Sequence, residues 1–125
     1  MALTMAEPRF LLDTNVVIGL LNGDAVCTAL MQSANCSLAD IAVSQITRME
    51  LLGFAGLAAA EVQTLQNLLA AVRVILLDEA IELHTIALRR QHKIKLPDAI
   101  IAATAASRGL VLLSMDKALN KIANP

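Results

Sequence analysis

The 125-residue chain predicts an α/β fold, a three-layer α/β/α sandwich around a central, mostly parallel sheet of four to five strands. Short continuous apolar runs alternate with segments of helical spacing along its length, as buried parallel strands and their crossover helices do. The apolar share is 57% and the mean hydropathy +0.64, which suits a sheet covered on both faces, a large subunit interface, or both. No repeat, low-complexity tract or Pro/Gly/Ser linker divides the chain. Residues 1–125 therefore read as one domain, able to bury about two-thirds of its unfolded surface without a disulfide or zinc staple.

"RFLLDT" is an apolar run closed by polar residues and reads as a buried first strand. "NVVIGLLNG" reads as a short helix stopped by Asn22–Gly23, and "DAVCTALMQSA" has helical spacing. "IAVS" is the second strand, closed by Ser44. "QITRMELLGF" and the longer "LAAAEVQTLQNLLAAV" are helices, and "RVILL" is the third strand. "DEAIELHTIALRRQHK" is an amphipathic helix with Ile81, Thr85 and Leu88 on one side. "DAIIAATAASRG" is a helix of small and branched residues, stopped by Gly109, whose composition marks it as almost fully buried. "LVLLS" is the fourth strand and "DKALNKIA" a final short helix.

The longest candidate membrane span, "AIIAATAASRGLVLLSM", is interrupted by Arg108–Gly109, and the N-terminal "MALTMAEPRF" lacks the apolar centre of a secretory signal. Cys27 and Cys36 stand in apolar or small-polar surroundings with no neighbouring His, as buried free thiols do. These features point to a cytoplasmic protein without a membrane partner. A formal net charge of −1 does not advertise nucleic-acid binding, and any such contact must come from a local basic patch. With no Trp, no Tyr and two Phe, an aromatic platform for single strands is not expected.

In parallel sheets, functional groups gather beyond the carboxyl ends of the strands. Asp13 ends the first strand and Asp116 follows the fourth. Glu50 lies six residues past Ser44, in the helix fed by the second strand. Asp98 opens the helix that leads into the fourth strand, so its end of that helix lies at the same edge. Each acid alone also fits a local role: Asp13 and Asp116 as helix caps, Asp98 as complement to a helix dipole, Glu50 as a solvated face residue. Local roles do not account for four carboxylates from four elements at one edge. Two such charges about 5 Å apart cost about 3 kcal/mol at an effective dielectric of about 20. A hard cation such as Mg²⁺ or Mn²⁺, which prefers carboxylate and water oxygens, offsets that cost.

"FLLDTNVVIGLL", "SQITRMELLGF" and "KLPDAIIAATAASRGLVLLSMD" closely resemble the PIN-domain nucleases, in particular the VapC-type toxins of toxin–antitoxin systems. The resemblance covers nearly the whole chain. It implies that Asp13, Glu50, Asp98 and Asp116 are the metal-binding and catalytic acids, with Thr14, Asn15 and Ser114 as supporting polar groups. It further implies Mg²⁺- or Mn²⁺-dependent hydrolysis of RNA phosphodiesters, leaving a 3′-hydroxyl and a 5′-phosphate, a homodimer, and a cognate antitoxin that covers the cleft. Ser114 keeps the hydroxyl of a position where the family often has threonine. Lys117, Ala118 and Leu119 stand where many members carry a further acidic or aromatic residue.

Arg89, Arg90, Lys93 and Lys95 in "RRQHKIK" directly precede Asp98 and form the candidate RNA-binding patch, with a solvated helix end as the alternative. Arg48 fits either description, and His84 and His92 read as surface or partner-facing. A receiver-type phosphoacceptor domain would need adjacent acids at the first strand end, where Asp13 stands alone. A haloacid-dehalogenase-like phosphatase would need an Asp where Asn15 stands. The remaining alternative, a catalytically inactive PIN-fold binding module, is opposed by the four intact acids.

Overall fold

The computed structural model describes residues 7–125; the reading of the chain's first six residues as part of a non-signal N-terminus lies outside them. Four strands form one all-parallel sheet among the described residues: β1 (Phe10–Leu12), β2 (Ile41–Ser44), β3 (Arg73–Ile75) and β4 (Val111–Leu113), in the order β3-β2-β1-β4.

Side chains alternate across the sheet with period two. Leu11, Ala42, Ile75 and Leu112 point into one apolar core, and Phe10, Leu12, Ile41, Val43, Val74 and Leu113 into the other. The second core is closed by α1 (Thr14–Leu21), α2 (Ala25–Ala34), α3 (Gln45–Leu52) and α4 (Ala59–Ala71). The first is closed by α5 (Glu79–Gln91), α6 (Leu96–Arg108) and α7 (Lys117–Ala123). This is the three-layer architecture expected from the alternation of runs.

The strand order follows from crossover handedness. From β1 the chain steps outward to β2 and β3 through helices on one face. The last crossover, α5 and α6, lies on the other face and deposits β4 on the opposite side of β1. Right-handed connections running in opposite directions must use opposite faces. The connections leaving β1 and β4 therefore part, and a crevice opens beyond their carboxyl ends.

α6 occupies the middle of its layer. Ala99, Ala102, Ala103, Thr104 and Ala105 are all wholly buried, and Ile101 nearly so. Small side chains let the helix backbone approach its neighbours closely. Thr104 satisfies its hydroxyl by donating to the Ile100 carbonyl at 2.7 Å. The helix begins two residues before Asp98, with Pro97 in the first turn, where its missing N–H costs nothing. It stops at Gly109 in the left-handed conformation (φ 64°), and Leu110 N–H returns to the Ala105 carbonyl at 2.9 Å.

Several boundaries differ from expectation by one or two residues, those of β3 and α4 among them. β3 ends at Ile75, and Leu76 and Leu77 leave the sheet as exposed residues, Leu77 N–H donating to Gln45 Oε1 at 2.9 Å. α4 starts at Ala59 rather than Leu57. Cys27 is a buried free thiol as expected, whereas Cys36 is only half-buried. Among the described residues no single helix is long and apolar enough to cross a membrane; α1 and α2 together have the length and composition but are bent by 113°.

Because α6 has no spare volume, Ala103→Leu is expected to destabilise the domain by about 1–3 kcal/mol. A urea melt checks this, with the midpoint falling and the slope retained.

Candidate active site

The site is built on the seam between β1 and β4. These strands run in register to Leu12 and Leu113, and Asp13 N–H still donates to the Leu113 carbonyl at 3.0 Å. Asp13 and Ser114 thus leave the sheet side by side. Asp13 is 5% exposed. Its Oδ1 accepts the Thr14 N–H at 2.7 Å, which caps α1, and its Oδ2 accepts the Ser114 hydroxyl at 2.6 Å. The Ser114 Oγ in turn accepts the Asp116 N–H at 2.9 Å. Asp116 caps α7 by accepting the Leu119 N–H at 3.1 Å, and Asn15 Oδ1 accepts the Met115 N–H at 3.3 Å.

Glu50 reaches the same edge from α3. Ser44, at the end of β2, caps that helix by accepting the Ile46 N–H at 3.2 Å. Thr14 Oγ1 lies 2.9 Å from Glu50 Oε1 and 2.9 Å from Thr47 Oγ1. A carboxylate can only accept, so the Thr14 proton goes to Glu50 and the buried Thr47 hydroxyl donates to Thr14. Thr47 and Asn120 are the two supporting residues that sequence reasoning missed. Asn120 Nδ2 holds the Ser114 carbonyl at 2.8 Å, and its Oδ1 is buried without a partner among the described residues. Helical spacing was the available signal: Thr47 stands three residues before Glu50, and Asn120 four after Asp116.

Asp98, half-buried in the first turn of α6, completes the acidic group. It makes no side-chain hydrogen bond among the described residues, so it is not a cap; its helix starts from Lys95. Burial, then the charges of Asp13 and Asp116, push its carboxyl above the usual range, while Lys95 pulls it back. Burial likewise raises Asp13, the bonds from Ser114 and Thr14 lower it, and the charges of Glu50 and Asp116 raise it again. Asp13 and Asp116 thus each make the cap expected of them, and neighbouring carboxylates oppose the ionisation of Asp13 and Asp98.

None of the three ion pairs among the described residues, Arg9–Asp40, Arg73–Glu7 and Arg108–Asp78, touches this group. Hard, uncompensated carboxylate oxygens are the donor set that a divalent Mg²⁺ or Mn²⁺ takes. The chemistry of the donors suits such an ion, although among the described residues no group of three or more His, Cys, Asp or Glu is placed so that it could hold a metal ion. The basic residues precede Asp98 in the chain. Arg89 and Arg90 are in the last turn of α5, Lys93 and Lys95 in the link to α6, all exposed and unpaired among the described residues. Of the four, Lys95 is the one whose charge acts on an acid of the group. Arg48 is exposed on α3, and so are the histidines, with His84 Nδ1 lying 3.4 Å from Ser107 Oγ.

A family model described as PIN domain matches residues 10–125. The chain belongs to the PIN-domain family. Solved structures similar to this PIN domain include a chain of a toxin–antitoxin complex from Klebsiella pneumoniae, 32% identical, with a TM-score of 0.74 over 85% of each chain. FitAcB from Neisseria gonorrhoeae matches at 27% identity and a TM-score of 0.74, over 92% of this chain and 93% of the other. VapBC-1 from nontypeable Haemophilus influenzae matches at 25% identity and a TM-score of 0.72, over 90% of each chain. Comparison with curated proteins finds no match. The resemblance to VapC-type toxins read from the motifs therefore stands.

The electrostatics predict an unusual sign for a charge-removing variant. Without metal, Asp98→Asn is expected to raise the melting temperature at neutral pH, on the order of 3 °C, because an unpartnered and repelled charge is gone. A role confined to the helix dipole predicts a loss instead. The pH dependence follows from the same shifts. A carboxyl whose folded pKa lies above its ordinary 3.8 contributes stability that is present below that value and lost as pH rises through the folded pKa. In chelator, the melting temperature should therefore rise as pH is lowered from 7 toward about 4.5, and rise less in Asp98→Asn, as calorimetry would read directly.

Proposed function

We propose that this PIN domain is a metal-dependent endoribonuclease and the toxin of a type II toxin–antitoxin pair. The observation that best supports the reading is the acidic group itself: Asp13 buried at the β1–β4 seam, with Asp98, Asp116 and Glu50 close enough to act on it or on one another, and no cation in an ion pair with any of them among the described residues. Asp13, Asp98 and Asp116, with Glu50 beside them, are the residues to hold Mg²⁺ or Mn²⁺. When bound, such an ion supplies positive charge to the transferring phosphoryl group and lowers the pKa of the attacking water.

The chain's own residues do the rest. Ser114 and Thr14 hold both oxygens of Asp13, so its carboxylate is oriented before substrate arrives. Thr14, backed by Thr47, holds Glu50. Asp98 has no hydrogen bond of its own among the described residues and a raised pKa, which suits an Oδ that takes a proton from the attacking water. Arg89, Arg90, Lys93 and Lys95 grip backbone phosphates, contacts that position RNA without reading its sequence. In-line attack leaves a 3′-hydroxyl and a 5′-phosphate.

An apolar groove of about 460 Å³ supports the antitoxin as partner. Ile18, Leu21, Phe54, Leu57 and Leu65 line it, and Glu50 and Glu61 lie on it. Phe54 is 69% exposed. An amphipathic antitoxin helix would seat its apolar face there, and an Arg or Lys beside it would meet Glu50. The complex would assemble in the cytoplasm, with the toxin as a homodimer.

Asp98→Asn, and separately Asp13→Asn, are expected to lower Mn²⁺-dependent RNA cleavage at least about 100-fold with the fold retained. Normal cleavage by both variants would move the chemistry off these acids, whereas a wild type that does not cleave in Mn²⁺ would leave an inactive binding module as the reading. Replacing Arg89, Arg90, Lys93 and Lys95 by Gln should weaken RNA binding and flatten its salt dependence, since each lost phosphate contact lowers the slope by about 0.7 for single strands. Phe54→Glu should abolish co-purification with the product of the neighbouring short gene and spare cleavage; capture at wild-type yield would place the partner elsewhere.

A further inference from the structure

The outer face of α5 carries a pattern of which the preceding chemistry uses only Arg90. Ile81, Thr85 and Leu88 turn inward to the core. On the opposite side stand Glu79, Leu83, Ile86 and Arg90, all exposed, Leu83 by 58% and Ile86 by 43%. At about 100° per residue these four fall within about 60° of one another, so they form one straight stripe. Neither Glu79 nor Arg90 has an ion-pair partner among the described residues.

The stripe runs acid, apolar, apolar, base, at spacings of four, three and four. Read from the other end, it is its own complement. In an antiparallel pair of α5 helices about a two-fold axis, Leu83 meets Ile86 of the second copy, and Glu79 meets Arg90, each contact made twice. A parallel pairing would stack like charges. The patch does not stop at the helix. Leu77 and Leu96, 41% and 48% exposed, line a cleft of about 790 Å³ together with Leu83 and Ile86, and Leu76 is exposed beside them. This flank widens the contact beyond a lone helix pair, toward the area of about 1,600 Å² that a standard interface buries.

We infer that this face is the homodimer surface, and that its occupant is the same face of a second copy of this chain, packed antiparallel through α5. The inference rests on the homodimer proposed above and adds to it the surface and the residue pairing. It also divides the basic segment: Arg90 is taken up by Glu79 of the second copy, whereas Arg89, about 100° around the helix, stays available to phosphate.

The test is sedimentation equilibrium of the full-length protein, with circular dichroism of each variant to check the fold. Leu83→Glu should raise the dimer dissociation constant at least about 100-fold, because it buries two carboxylates, one from each copy, beside the two-fold axis. Glu79→Arg and Arg90→Glu should each weaken the dimer about tenfold, since every change is made twice. The double variant Glu79→Arg/Arg90→Glu should recover to within about threefold of wild type. Recovery of that kind requires the antiparallel pairing. A dimer indifferent to Leu83→Glu, or a double variant as weak as the singles, overturns the surface while leaving the homodimer standing. A wild-type chain that stays monomeric at every accessible concentration overturns both and assigns the face to a different protein.

Discussion

A carboxylate buried where two strands end is costly unless its oxygens are held, and at the β1–β4 seam that requirement organises the surrounding structure. Asp13 is held by a backbone N–H one residue on and by a hydroxyl 101 residues away in sequence. The second bond cannot form unless β4 lies beside β1 in the register observed. It also fixes the loop beyond, because the same Ser114 oxygen accepts the Asp116 N–H and Asn120 grips the Ser114 carbonyl. Two bonds compensate Asp13 only in part: its pKa remains raised, and Glu50 and Asp116 add repulsion. A site that stays electrostatically unfavourable by itself is poised to gain from a cation.

The topology and the site are one arrangement seen at two scales. Handedness sends the last crossover to the opposite face of the sheet, which opens the crevice between β1 and β4. The small side chains of α6 let that crossover pack closely in its layer, and its first turn then presents Asp98 to Asp13 and Asp116. Asp98 holds no cap, so its local contribution is limited to the helix dipole, and its surroundings oppose its charge.

The high apolar content is only partly spent on the two cores. A groove around Phe54 and a patch around Leu83 leave large side chains in water on separate parts of the surface. One has carboxylates beside it and adjoins the acidic site through Glu50; the other carries an acid and a base at opposite ends of a helix stripe. That difference in charge pattern separates a face suited to a basic amphipathic partner from a face suited to its own copy.

Much of this was legible in the chain itself. Continuous apolar runs in "FLL", "IAVS" and "VLL", and helical spacing between them, determined the elements and the layered architecture, because both are local patterns. The positions of Asp13, Glu50, Asp98 and Asp116 at strand and helix ends marked one edge, and the edge is where the structure has them. What no local pattern could decide was partnership across distance. Whether Asp13 would be capped, repelled or both depended on β4 pairing with β1. The end of β3 at Ile75 depended on where the sheet ceased to cover it, and the roles of Thr47 and Asn120 depended on which residues the fold brought opposite them. Sequence sets the spacing of groups along one element; the energies of a buried charge, a shared hydroxyl or an exposed leucine are set by neighbours that only the packed tertiary structure supplies.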